Sequence, residues 1–194
     1  MLCIFKLRTF KLILFTCFFV LTLSANAVEV KGVKVDETAQ VGGTALVLNG
    51  AGVRTKAIFK VYVAGLYLAQ KTSDANAVIN DTGNKRVSMH FLRELSSEKL
   101  LHGMNEGFTD NNSAAEMAAI EPQMKAFRQM MTSAKAVKEG DVIVLDLTSA
   151  GTQVSLNGKL LGNIEGAAFN QALLRVWLGG NPVDAALKKA MLGQ

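Results

Sequence analysis

The sequence predicts an α+β domain, an antiparallel sheet with helices layered on one face. Two observations carry this. The elements come in blocks (strands, then helices, then a strand hairpin, then helices) instead of alternating as βαβ units. Asn157-Gly158, between two β-prone stretches, is a strong hairpin turn and implies antiparallel pairing. No internal repeat or low-complexity segment interrupts the 194 residues, which hold only two prolines, Pro122 and Pro182.

Residues 1–27 are expected to stand outside that domain, as a secretory signal peptide. Lys6, Arg8 and Lys11 form a positive n-region, Leu12 to Ser24 is an uncharged apolar core, and Ala25-Asn26-Ala27 supplies small residues for cleavage. The apolar run is shorter than the roughly 20 residues that a permanent anchor needs. Cys17, preceded by Phe15-Thr16, makes a poor lipobox. Cleavage after Ala27 predicts a periplasmic protein of residues 28–194, without stable membrane insertion. Both cysteines, Cys3 and Cys17, leave with the leader, so the mature chain must be held by its core and not by disulfides. Its length allows one domain burying about 70 % of its unfolded surface. Three of the 21 basic residues also leave and no acid does, which leaves 18 against 16. The basic composition therefore gives no sign of a nucleic-acid partner.

In chain order, Val28 to Val35 alternates and reads as a strand, and Thr44 to Leu48 reads as a second. Gly50-Ala51-Gly52 reads as a glycine-eased bend, since no phosphate-loop pattern or helix follows it. Ala57 to Leu68 is the longest apolar run of the mature chain, rich in Val, Ile, Phe and Tyr, and predicts a central strand. Ser73-Asp74 caps a short helix to about Ile79. Asp81 to Asn84 turns the chain into a strand over Lys85 to Arg93, with Val87, Met89 and Phe91 on one face. Ser96-Ser97-Glu98 opens a helix. Asn112-Ser113 opens a longer one carrying Met117, Ile120, Met124, Phe127 and Met131 at helical spacing, kinked or divided at Pro122. Lys138 to Asp141 breaks to a strand over Val142 to Leu147, which returns over Thr152 to Leu156. Helices over Glu165 to Leu178 and Val183 to Leu192 complete the chain.

Few residues are placed for chemistry. The mature chain has no cysteine, and His90 and His102 lie in different elements without carboxylates at ligand spacing, so neither a metal nor a cofactor is expected. His90 falls opposite the apolar set of its strand and reads as a surface histidine. Ser96 and Ser97 read as helix caps, and the methionine stripe as core. Arg54, Tyr62 and Tyr67 remain. No acid lies between Leu46 and Leu68 to pair Arg54, whose forked guanidinium suits a ligand carboxylate. In one straight strand Arg54 and Tyr62 would stand roughly 26 Å apart, so sharing a site requires a reversal or bulge, expected at Thr55-Lys56-Ala57. Tyr67 has opposite parity to Tyr62, and an unbroken strand sends the two to opposite faces.

GAGVRTKAIFKVYVAGLYL, from Gly50, and FNQALLRVWLGGNPVDAALKKAMLG, from Phe169, resemble two separated motifs of the chalcone isomerase-like proteins, and the chain looks closest to their short, exported bacterial branch. The resemblance implies an antiparallel sheet layered with helices and a cleft between them. It also implies either ring closure of a chalcone, as in the plant enzymes, or fatty-acid binding, as in plastid relatives. Arg54 matches the arginine of the enzymes, while Tyr62 matches the binding tyrosine of the fatty-acid branch. The catalytic tyrosine of the enzymes corresponds to Ser96, and their asparagine to Gly103. The expected function is binding of a small amphipathic ligand, a fatty or aromatic carboxylic acid, by Arg54 and Tyr62 with Tyr67 as a third member. The alternatives are an isomerase (intramolecular lyase) of the chalcone isomerase type and a structural or partner-binding protein. Sequence leaves the oligomeric state open.

Overall fold

The computed structural model describes residues 27–194; the leader assigned to residues 1–27 lies outside them but for Ala27. The first strand is a hairpin, not one run. β1 (Ala27–Val30) turns at Lys31-Gly32, both at positive φ, and pairs antiparallel with β2 (Val33–Asp36). β3 (Thr38–Val41) leads through Gly42-Gly43 into β4 (Thr44–Lys56), which runs eight residues past the expected end of its strand. After Ala57-Ile58 the chain returns as β5 (Phe59–Leu68). α1 (Ala75–Asn80) is capped by Asp74, whose carboxylate accepts from the amides of Asn76 and Ala77. β6 (Lys85–Phe91) follows.

The helical middle begins after β7 (Leu95–Ser96). α2 (Ser97–Asn111) is capped by Ser96, α3 (Ala114–Ala119) opens with a Ser113–Glu116 capping box, and α4 (Glu121–Ser133) carries Pro122 in its first turn. Proline suits that position, where no intrahelical amide bond is lost, so the expected long helix is divided at Ile120 and not kinked. β8 (Ala136–Val137) pairs with β7. β9 (Val142–Thr148), β10 (Gly151–Leu156) and β11 (Lys159–Glu165) form a meander, and α5 (Ala167–Leu178) and α6 (Ala185–Met191) end the chain.

The main sheet is antiparallel with the order β11-β10-β9-β6-β5-β4-β3, so the whole helical middle is an excursion between the neighbours β6 and β9. All the helices except α3 bury apolar residues with one face of this sheet, around Phe108, Phe127, Phe169 and Trp177. The other face holds a smaller cluster of Val35, Val41, Leu46, Leu48, Val63 and Tyr67, to which β2 contributes through the fully buried Val35. The α+β prediction of helices on one antiparallel face therefore holds.

Candidate functional site

Two irregularities in the β4–β5 hairpin bring the arginine and the tyrosine together. Leu48 pairs with Tyr67 but Gly50 pairs with Leu66, which leaves Asn49 as an extra residue. A one-residue bulge exchanges the faces of everything beyond it. Leu48 consequently packs in the second cluster, whereas Gly50, Gly52 and Arg54 face the helices. Asn49 is buried and fixed: its amide donates to the carbonyls of Thr72 (3.0 Å) and Met191 (2.7 Å), and its oxygen accepts from Thr72 N (2.8 Å). The second irregularity leaves Val61 between the rungs Arg54–Tyr62 and Thr55–Lys60.

Gly50 and Gly52 are not a bend, which corrects the sequence reading. They lie inside β4, where α6 rests on the backbone. A Cβ at Gly50 would come within 2.1 Å of the Ala190 carbonyl oxygen, and one at Gly52 within 2.5 Å of the Ala190 Cβ. A side chain at either position would push the helix off the strand. The expected reversal does occur, one residue later than placed, at Ala57-Ile58 with Ala57 at φ +56°.

Arg54 and Tyr62 are thus direct cross-strand partners, with the guanidinium carbon 5.7 Å from the phenol ring centroid. Leu95, Lys99, Leu100, Gly103 and Met104, from β7 and α2, close over them, with Val183 from the loop before α6. Gly103 leaves the guanidinium its room; a Cβ there would lie 3.6 Å from the nearer terminal nitrogen. The free volume is about 10 Å³, roughly what one water needs.

Two donors in this pocket are left without acceptors. Arg54 makes no ion pair among the described residues, and its Nε is buried without a partner. Tyr62 Oη accepts a 2.9 Å bond from Trp177 Nε1. Indole is only a donor, so the phenol's own proton remains available. Burial raises the Tyr62 pKa, against the opposing pull of Arg54 and of the Trp177 bond. The group is therefore a neutral donor at physiological pH, not a phenolate. A guanidinium and a phenol both seeking acceptors, on one rung, form a site for an anionic oxygen.

Tyr67 is not part of it. It points into the second cluster beside Ser88, as parity predicts, and burial raises its pKa as well. His90 is half-buried on that same face of β6, and desolvation lowers its pKa. Ser96 uses its hydroxyl to cap α2, accepting from Lys99 N at 3.3 Å. A larger cavity, about 100 Å³ and lined by Ile79, Leu147 and Leu174 among others, lies beneath α1 and α5. Its buried lysine, Lys85, already donates to Asp81 O, Asp81 Oδ2 and Gly83 O at 2.6–2.8 Å. All three ammonium protons are satisfied there, unlike the Nε of Arg54.

Sequence reasoning missed Asn49, Trp177 and the local use of Gly103. Each had a signal: an asparagine inside an apolar strand, the single tryptophan of the chain, and a glycine in mid-helix.

Residues 27–193 match the chalcone isomerase-like family. Among solved structures, a fatty-acid binding protein of Arabidopsis thaliana superposes with a TM-score of 0.68 at 13 % identity, covering 86 % of this chain and 96 % of that one. No match was found among curated proteins.

Proposed function

The chain belongs to the chalcone isomerase-like family, and from that premise we propose that it binds a small amphipathic acid, fatty or aromatic, with its carboxylate on Arg54 and Tyr62. The observation that carries the reading is the buried, unpartnered Nε of Arg54 beside a phenol whose proton has no acceptor. A carboxylate supplies the missing acceptors to both. The similar plant structure, a fatty-acid binding protein, supports the reading at the level of fold.

As built, the pocket has room for about one water, so the head group enters only as neighbouring side chains give way. The apolar tail enters by displacing Leu100 and Met104 on α2, and the unbranched thioether of Met104 adapts to such repacking. Each buried CH₂ then contributes about 0.8 kcal/mol, so the tail supplies most of the affinity and Arg54 the choice of head group.

Ring closure of a chalcone asks for more. A phenolate must attack an enone while a relay moves protons and the carbonyl charge is stabilised. Arg54 and Tyr62 serve the charge, but Ser96 and Gly103 stand where the enzymes carry their tyrosine and asparagine, and the hydroxyl of Ser96 is engaged as a cap.

Location in the periplasm rests on the leader at residues 1–27, and the mass of the purified protein tests it directly. Native mass spectrometry with lipid extraction, on wild type and Arg54→Ala, tests the function. Bound acid should be present in wild type and its affinity reduced roughly 10- to 100-fold in the variant, the range for a lost charge-assisted bond. Protein that takes up no acid on titration, yet converts chalcone faster than solvent does, assigns the site to the isomerase instead.

A further inference from the structure

The tip of the β4–β5 hairpin presents two large apolar side chains to solvent, Ile58 at 85 % exposure and Phe59 at 52 %. Cations surround them. Lys56 and Lys60 flank the turn in sequence, and the Arg93 guanidinium stacks 4.4 Å over the Phe59 ring. Lys31, in the β1–β2 turn, lies so near Lys60 that the like charges depress the Lys60 pKa. Only Lys56 has an acidic partner among the described residues, Glu106 at 3.3 Å, and both members of that pair are exposed. Three of the four cations are left without a counter-ion. Two wet apolar side chains in a ring of largely unpaired positive charge is an arrangement that water alone does not favour.

We propose that this tip docks the protein onto the surface of an anionic phospholipid bilayer. Phosphates neutralise the crowded lysines, and Ile58 and Phe59 enter the interface between headgroup and acyl chain. Two weak signals together, an apolar insertion and a polybasic rim, are what reversible membrane attachment requires. A protein partner fits less well, because stable protein interfaces bury about 800 Å² on each side, which a two-residue tip does not offer. The attachment is peripheral; no helix among the described residues is long and apolar enough to cross a membrane.

Docking would also set the geometry of the pocket. The Arg54–Tyr62 rung lies three rungs from the turn, roughly 10 Å along the strand, so a docked tip holds the arginine close to the headgroups. The docking itself rests on the tip alone and stands or falls apart from acid binding.

Flotation of the purified protein with phosphatidylglycerol-containing and pure phosphatidylcholine vesicles tests it. Wild type is compared with Ile58→Ser/Phe59→Ser and with Lys60→Glu, each checked for folding by near-UV circular dichroism. Wild type should float with the anionic vesicles, and less so in high salt. The double variant should bind at least about ten-fold more weakly, and Lys60→Glu about five-fold or more. Because every variant carries the same N-terminus, a retained leader cannot produce the difference. Equal flotation of wild type and double variant overturns the proposal. So does wild type that ignores anionic vesicles, and a stable stoichiometric complex of such protein with an acidic protein, lost in the double variant, would reassign the tip to that partner.

Discussion

Arg54 and Tyr62 occupy one rung of the β4–β5 hairpin, eight residues apart in sequence yet with guanidinium carbon and phenol centroid separated by 5.7 Å. The rung faces the helices because Asn49 bulges out of β4 just before the Gly50–Leu66 rung, and the phenol accepts a bond from Trp177. The Arg54–Tyr62 pair thus depends on residues that do not line the pocket, and each can be altered separately.

Asn49→Ala should lower stability by about 2–4 kcal/mol, since it leaves the Thr72 amide and the Thr72 and Met191 carbonyls without their partner in or near the core. The midpoint of urea denaturation checks this. A loss below about 0.5 kcal/mol would mean that the bulge is held by the strands alone.

Gly52→Val should destabilise by about 1–3 kcal/mol or more, because its first carbon already meets Ala190 at 2.5 Å. Gly180→Ala, where the added carbon meets nothing within 4 Å and φ is ordinary, is the matched control and should change stability by less than about 0.5 kcal/mol. Equal effects in the two variants would contradict the close seating of α6 on β4.

Gly103→Ala separates site from fold. The new methyl makes ordinary contact with Arg54, and replacing a mid-helix glycine should raise stability by about 0.5–1 kcal/mol. Gly103→Leu should fill the pocket and abolish acid binding while the protein stays folded. Undiminished binding in the leucine variant, read by native mass spectrometry, would place the acid elsewhere.

The pH dependence concerns the two tyrosines of the chain, Tyr62 and Tyr67. Burial raises both pKa values above the ordinary 10.0. Native protein at pH 10 should therefore show much less phenolate absorbance at 295 nm than the unfolded chain. An acid with a raised folded-state pKa contributes stability that is fully present below its unfolded pKa. That stability is lost as pH rises from about 10 towards the folded value. Tyr62→Phe should remove part of this alkaline loss. It should also lower neutral-pH stability by about 1–3 kcal/mol, since the Trp177 N–H loses its buried acceptor. Half-ionised tyrosine in the native protein at pH 10 would contradict the burial argument.

The sequence by itself determined the block order of strands and helices, an interruption near Pro122 (kink or division), the need for a reversal between Arg54 and Tyr62, and the opposite parity of Tyr62 and Tyr67, although it still suggested Tyr67 as a third member of the site. All four follow from local rules: periodicity, proline stereochemistry, rise per residue and alternation. Tertiary structure alone decided which face Arg54 occupies, because the bulge that sets it is fixed by Asn49 bonding to Met191, 142 residues away. The seating of α6 on Gly50 and Gly52, the Trp177 bond to Tyr62 and the small pocket likewise depend on contacts between distant segments. The first turned an apparent bend into a packing surface. The division of the first strand at Lys31-Gly32 also escaped, although the apolar set shifts there from Val28 and Val30 to Val33 and Val35, a break in the alternation that marks the turn. A residue's neighbours along the chain fix its preferred conformation, but its partners across the core fix the direction it faces.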